Sequence, residues 1–139
     1  VDSLSMLIAE KNAQVKIVDI QQSIAILGDK QHLLNVMRNL IENAIKYNDN
    51  IPVVQISTKL LAQEVVIAIE DNGIGIPVGQ KEMIFEKFQR VHQTTHAFKG
   101  FGLGLAYVKN MIELHQGQIQ VKSEEKKGSC FEIKLPIID

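Results

Sequence analysis

The chain has 139 residues, a length that suits one domain, residues 1–139, around a single hydrophobic core. Hydrophobic residues make up 45% and charged residues 22%, which excludes a disordered chain, and the net charge of −1 excludes a general nucleic-acid or membrane-binding surface. The longest aliphatic runs, such as "VVIAI", are too short to span a membrane, and no signal-peptide pattern is visible in the first residues given.

In chain order, "SLSMLIAEKNAQ" (3–14) predicts a short helix or linker start, "VKIVDI" (15–20) a strand, and "SIAIL" (23–27) its neighbour. Asp29 is placed as the N-cap of a long helix over 30–47, ended by "NDN" before Pro52. "VVQISTKL" (53–60) and "EVVIAIE" (64–70) predict an antiparallel pair. A short helix is expected over "QKEMIFEKF" after Pro77, and residues 89–101, which lack either period, read as a loop. A second long helix over 103–115 stops at Gly117, and "QIQVKSE" with "SCFEIKLP" closes a hairpin around "KKGS". The expected fold is a two-layer α/β sandwich of α+β type, its mixed, largely antiparallel sheet covered on one face by helices. The single cysteine, Cys130, sits in the last alternating strand without an internal partner, which fits a buried thiol in a reducing, cytoplasmic compartment. An opening at Val1 fits a piece of a longer protein, whose membrane anchor would then lie outside these residues.

Three stretches carry chemistry. On the first long helix, Leu33, Leu34, Met37, Leu40, Ile41 and Ala44 define the expected core face. Asn39, Asn43, Lys46 and Tyr47 share an adjoining arc of about 100°. An amide oxygen can ligate a hard divalent cation, a lysine can meet phosphate and a tyrosine can stack on a base. "DNGIGIP" (71–77) ends a buried strand on a carboxylate and two glycines, which is either a plain turn or a place where a ligand reaches the backbone. "KGFGLGL" (99–105) puts Gly100, Gly102 and Gly104 at a helix start, where bare N–H groups suit phosphate or a flexible hinge.

Taken together, "NLIENAIKY" (39–47), "DNGIGIP" (71–77), "FEKFQR" (85–90) and "GFGLGL" (100–105) resemble the N, G1, F and G2 boxes of the catalytic ATP-binding domains of sensor histidine kinases, in order and in spacing. "GSCFEIKLP" resembles the usual final strand, so the likeness runs from about residue 15 to the end. The resemblance implies the Bergerat-type fold of the GHKL superfamily, with residues 89–101 as a mobile ATP lid. It implies that Asn43, assisted by Asn39, ligates Mg²⁺ on the phosphates, that Lys46 contacts phosphate, and that Tyr47 stacks near adenine. Asp71 would accept from the adenine amino group, while Gly73, Gly75 and Ile76 line the base. Arg90 would approach the γ-phosphate, Phe85 and Phe88 would anchor the lid, and Lys99, Gly100, Phe101, Gly102, Leu103 and Gly104 would wrap the triphosphate. Phe101 departs from the family, which more often has a small or polar residue there.

The ATP-hydrolysing members of the superfamily carry glutamate where this chain has Asn39. A carboxamide has no useful basicity near pH 7, so the helix suits phosphoryl transfer rather than activation of water. Transfer needs chiefly positioning and charge neutralisation, for which Mg²⁺, Lys46, Arg90 and backbone amides suffice. The family's acceptor histidine is followed by an acidic residue and, further on, a proline. His32, His92, His96 and His115 lack that context, so the acceptor is expected on a separate helical dimerisation domain. The resemblance further implies a response-regulator receiver domain downstream and a homodimeric full-length kinase, with this fragment monomeric and no nucleic-acid partner. The alternatives are a serine kinase of the anti-sigma-factor class and a non-catalytic nucleotide-binding module.

Overall fold

The structure, a computed structural model, describes residues 3–18, 28–76, 79, 83–85 and 101–137, the side chains of residues 3, 83 and 101–104 excepted. Its elements are α1 (Ser3–Lys11), β1 (Gln14–Val18), α2 (Lys30–Lys46), β2 (Val53–Leu61), β3 (Glu64–Asp71), a 3-10 turn at Met83–Phe85, α3 (Phe101–Leu114), β4 (Gln118–Glu124) and β5 (Gly128–Pro136). The five strands form one sheet in the order β1-β2-β3-β5-β4. Only β1 and β2 run parallel; the other pairs are antiparallel. The expected strand at 23–27 lies outside the described residues, as does most of the expected helix after Pro77.

Alternation along the strands sorts the two faces. Val54, Ile56, Val65, Ile69, Phe131, Ile133 and Leu135 turn inward and pack with Val36, Leu40, Ala44 and Ile45 of α2 and Leu105, Val108 and Ile112 of α3. Gln55, Lys59, Glu70 and Lys122 stand exposed on the other face. The helices therefore cover one face, as the sequence predicts. Cys130 is only half-buried, on the uncovered side between Glu70 and Lys122 in the strand register.

Asp29 caps α2 as expected, its carboxylate accepting from the His32 N–H at 3.1 Å. The core face of the helix differs in one respect: Leu34 is 53% exposed, while Val36 and Ile45 are buried. Leu34 sits near the N-terminal end of the helix, outside the core cluster that Val36 and Ile45 join. The helix is tied to α3 by two histidines. The Asp29 N–H donates to His115 Nε2 at 2.9 Å, so His115 Nδ1 carries the proton and donates to the Met111 carbonyl at 2.7 Å. His32 Nδ1 lies 2.9 Å from the Tyr107 hydroxyl. Beyond α3 the left-handed residue is Gln116 at φ 64, not Gly117. Gly117 is small for another reason: a Cβ there would stand 2.3 Å from the Lys134 carbonyl oxygen.

Candidate functional site

The C-terminal end of α2, the loop after β3 and the turn of the β4–β5 hairpin converge at one end of the sheet. Asp71 closes β3 there. Its Oδ1 accepts from the Gly73 N–H at 2.8 Å and the Ser129 N–H at 3.2 Å. Asn43, Ala44, Tyr47, Ile74, Gly75, Ile76, Ser129 and Phe131 line a narrow cleft with it. Burial pushes the Asp71 carboxyl up to about 6, helped by the charge of Glu70, and the two N–H bonds oppose the rise without cancelling it.

The loop that presents Asp71 is held from both sides. The Ile74 N–H donates to the Tyr47 carbonyl at 3.0 Å, and the Lys126 N–H to the Ile74 carbonyl at 2.6 Å. The Ile76 N–H donates to Ser123 Oγ at 2.8 Å. Asn72 locks the far side: its Oδ1 accepts from Asn48 Nδ2 at 2.7 Å and the Val53 N–H at 2.8 Å, and its Nδ2 donates to the Ile51 carbonyl at 3.2 Å. Gly75, at φ 73, would bring a Cβ to 2.2 Å from the Glu124 carbonyl oxygen, so the loop and the hairpin touch backbone to backbone. Gly73 would collide with the Tyr47 carbonyl at 2.6 Å. Both glycines thus have a packing reason in the chain itself, beside any closeness to a ligand.

On α2, Asn43 and Tyr47 face this cleft, and both are half-buried. The Asn43 amide nitrogen is fully buried and has no hydrogen-bond partner among the described residues. A buried polar atom without a partner is costly unless something else meets it, so Asn43 has hydrogen-bonding capacity that the described residues do not use. Asn39 donates to the Asn35 carbonyl at 2.8 Å, and Lys46 is exposed; neither lines the cleft. Gly102 and Gly104 fall in the first turn of α3. Phe88, Arg90, Lys99 and Gly100 lie outside the described residues, as do His92 and His96. Among the described residues no cluster of three or more His, Cys, Asp or Glu could hold a metal. A cation here would rest on amide oxygens and ligand oxygens, a donor set that suits a hard ion such as Mg²⁺. Ser123, Ser129, Asn48 and Asn72 are the polar residues missed from the sequence; the small residues around the "KKGS" turn were the available signal for the two serines.

The family described as histidine kinase-, DNA gyrase B-, and HSP90-like ATPase matches residues 28–139. Sensor protein RprX of Bacteroides fragilis is 43% identical over 116 residues, 81% of this chain and 22% of that protein. Phytochrome-like protein Cph1 of Synechocystis sp. is 39% identical over 136 residues, 97% of this chain and 18% of that protein. The chain therefore spans about a fifth of the length of these curated relatives. Among solved structures, a nucleotide-free catalytic domain of histidine kinase ThkA superposes with a TM-score of 0.79 at 25% identity, over 96% of this chain and 84% of that one. Full-length ShkA in complex with AMPPNP gives 0.79 at 25% identity, over 99% of this chain and 30% of that one. With the sheet order, the Asp71 cleft and these likenesses in agreement, the chain belongs to the family of histidine kinase-, DNA gyrase B-, and HSP90-like ATPases, as an ATP-binding domain of the histidine-kinase type.

Proposed function

We propose that this domain binds Mg²⁺–ATP in the Asp71 cleft and donates the γ-phosphoryl group to a histidine on a separate helical dimerisation domain of the same kinase. The observation that carries this reading is the Asp71 carboxylate: among the described residues both donors fall on Oδ1, which leaves Oδ2 for a ligand with an N–H to give. The adenine amino group is such a donor. Tyr47 and Ile76, in the same cleft, supply flat and apolar surface for the base.

Asn43, with Asn39 beside it on the helix, would hold the metal, and the unpartnered Asn43 amide fits that role once its side chain is turned to present oxygen. When bound, Mg²⁺ neutralises charge on the triphosphate. Lys46, Arg90 and the N–H groups around Gly100, Gly102 and Gly104 would orient the phosphates, with residues 89–101 closing over them. Asn39 cannot take a proton from water, which favours transfer over hydrolysis. The acceptor domain, a downstream receiver domain and a homodimeric, cytoplasmic full-length protein complete the proposal, with this domain alone a monomer. No described helix is long and apolar enough to cross a membrane. The complex of ShkA with AMPPNP supports the nucleotide assignment by likeness.

Incubation with γ-labelled ATP tests it. The isolated chain should remain unlabelled and the helical domain, added in trans, should gain acid-labile label. Stoichiometric acid-labile label on the isolated chain would overturn the separate acceptor, and a folded chain that does not bind ATP would overturn the whole reading.

A further inference from the structure

Behind Asp71 lies a pair of serines with a constrained set of protons. Ser123, on β4, and Ser129, on β5, face each other in the strand register, with their hydroxyl oxygens 2.8 Å apart. Ser123 Oγ also accepts from the Ile76 N–H at 2.8 Å and donates to the Gly128 carbonyl at 3.0 Å. A hydroxyl has one proton and two lone pairs. With its proton on the Gly128 carbonyl and one lone pair on the Ile76 N–H, Ser123 can meet Ser129 only as an acceptor. The Ser129 hydroxyl therefore gives its proton to Ser123. It lines the cleft beside Asp71, and what it has left to offer a ligand is lone pairs.

We propose that Ser123 is a positioning residue for base selection: by taking the Ser129 proton it leaves the base end of the cleft, Asp71 and Ser129 together, able only to accept hydrogen bonds. This rests on the proposed binding of ATP in that cleft. A base whose edge carries an amino group, directly or through a water, meets two acceptors with a donor. A base with a carbonyl there, as in guanine, brings a third acceptor to a half-dry site, and buried polar groups left unpaired discriminate strongly. Ser123 touches neither base, so its effect is transmitted through the Ser129 proton.

The test is calorimetric titration of wild type and variants with ATP and GTP in Mg²⁺. Ser123→Ala frees the Ser129 proton to turn toward the cleft, and should narrow the ratio of ATP to GTP affinity roughly tenfold, chiefly by improving GTP. Ser123→Thr keeps the hydroxyl and should keep the ratio. Adding Ser129→Ala to Ser123→Ala should return the ratio to that of Ser129→Ala alone, because the proton freed by Ser123→Ala is then gone. Because Ser123→Ala also leaves the Ile76 N–H unpaired and could disturb folding, Ser129→Ala alone provides a second measure. It should raise GTP affinity relative to ATP if Ser129 presents lone pairs. An unchanged ratio, or an equal loss for both nucleotides, in a folded Ser123→Ala overturns the proposal, as does a relative fall or no change in GTP affinity for Ser129→Ala. Wild type that binds neither nucleotide would instead sink the ATP reading itself.

Discussion

Asp71 and Ser129 stand opposite each other in the register of β3 and β5, and the Ser129 N–H reaches Asp71 Oδ1 at 3.2 Å across 58 residues of sequence. One carboxylate oxygen is thereby spent on the fold, and the other is aimed by it. Asp71 is both the end of a ladder and the head of a cleft, so changes to it act on stability and on recognition by separable routes.

Asp71→Asn should weaken ATP binding by roughly 1.5–3 kcal/mol, the loss expected for a charge-assisted hydrogen bond. It should also narrow the preference over GTP, because an amide can turn its NH₂ toward the guanine carbonyl. Titration of both nucleotides against the folded variant is the check. If Asp71 served only the turn before Gly73, Asn would do equally well and ATP affinity would not change.

The same substitution should change how stability follows pH. The Asp71 pKa in the fold is raised from 3.8 to about 6, so the folded state holds its proton where the unfolded chain has released it. The resulting stabilisation is fully present below about pH 4 and is lost as pH rises through about 6. Asn does not titrate. Relative to wild type, ligand-free Asp71→Asn should therefore gain roughly 2–3 kcal/mol between pH 4 and pH 7. Urea unfolding of both proteins at the two pH values measures the difference; parallel curves would mean that the carboxyl keeps its ordinary pKa.

Asn43→Ala separates function from folding. The Asn43 amide nitrogen is buried without a partner among the described residues, so its removal should alter ligand-free stability by no more than about 0.5 kcal/mol, or even raise it. Binding of ATP in Mg²⁺ should fall at least about tenfold, while binding in EDTA should change little. A large loss of ligand-free stability, or equal losses with and without the metal, would show Asn43 to be structural.

Gly75→Ala tests the contact between the loop and the hairpin. Its Cβ would meet the Glu124 carbonyl oxygen at 2.2 Å, at a φ of 73. The substitution should cost about 2 kcal/mol or more and displace Asp71, lowering ATP affinity with it. Gly79, also at positive φ but with nothing within 4 Å, is the control: Gly79→Ala should cost about 1 kcal/mol from its φ and spare binding. Equal effects at the two positions would mean that the close approach is immaterial.

Residues adjacent in sequence decided much of this protein. Asp29 before a helical period caps α2, the arc of Asn39, Asn43, Lys46 and Tyr47 follows from 3.6 residues per turn, and alternation in 53–60, 64–70 and the last hairpin marks the strands, because each of these depends on local geometry alone. What only the tertiary structure decided is which of those groups meet. Leu34 fits the apolar stripe yet is exposed, because burial depends on which other elements pack against that part of the helix. Gly117 looks like a helix stop, yet the left-handed residue is Gln116, and the glycine answers to the Lys134 carbonyl from another strand. Of the four residues on the α2 arc, only Asn43 and Tyr47 line the cleft with Asp71. For Ser123 and Ser129 a linear reading offers only the small residues around the "KKGS" turn, which do not show that the two meet. Their hydroxyls are brought together by the register of β4 and β5, the Ser123 hydroxyl accepts from the Ile76 N–H across 47 residues and the Ser129 N–H reaches Asp71 across 58, and no local period encodes a proton's direction over such distances.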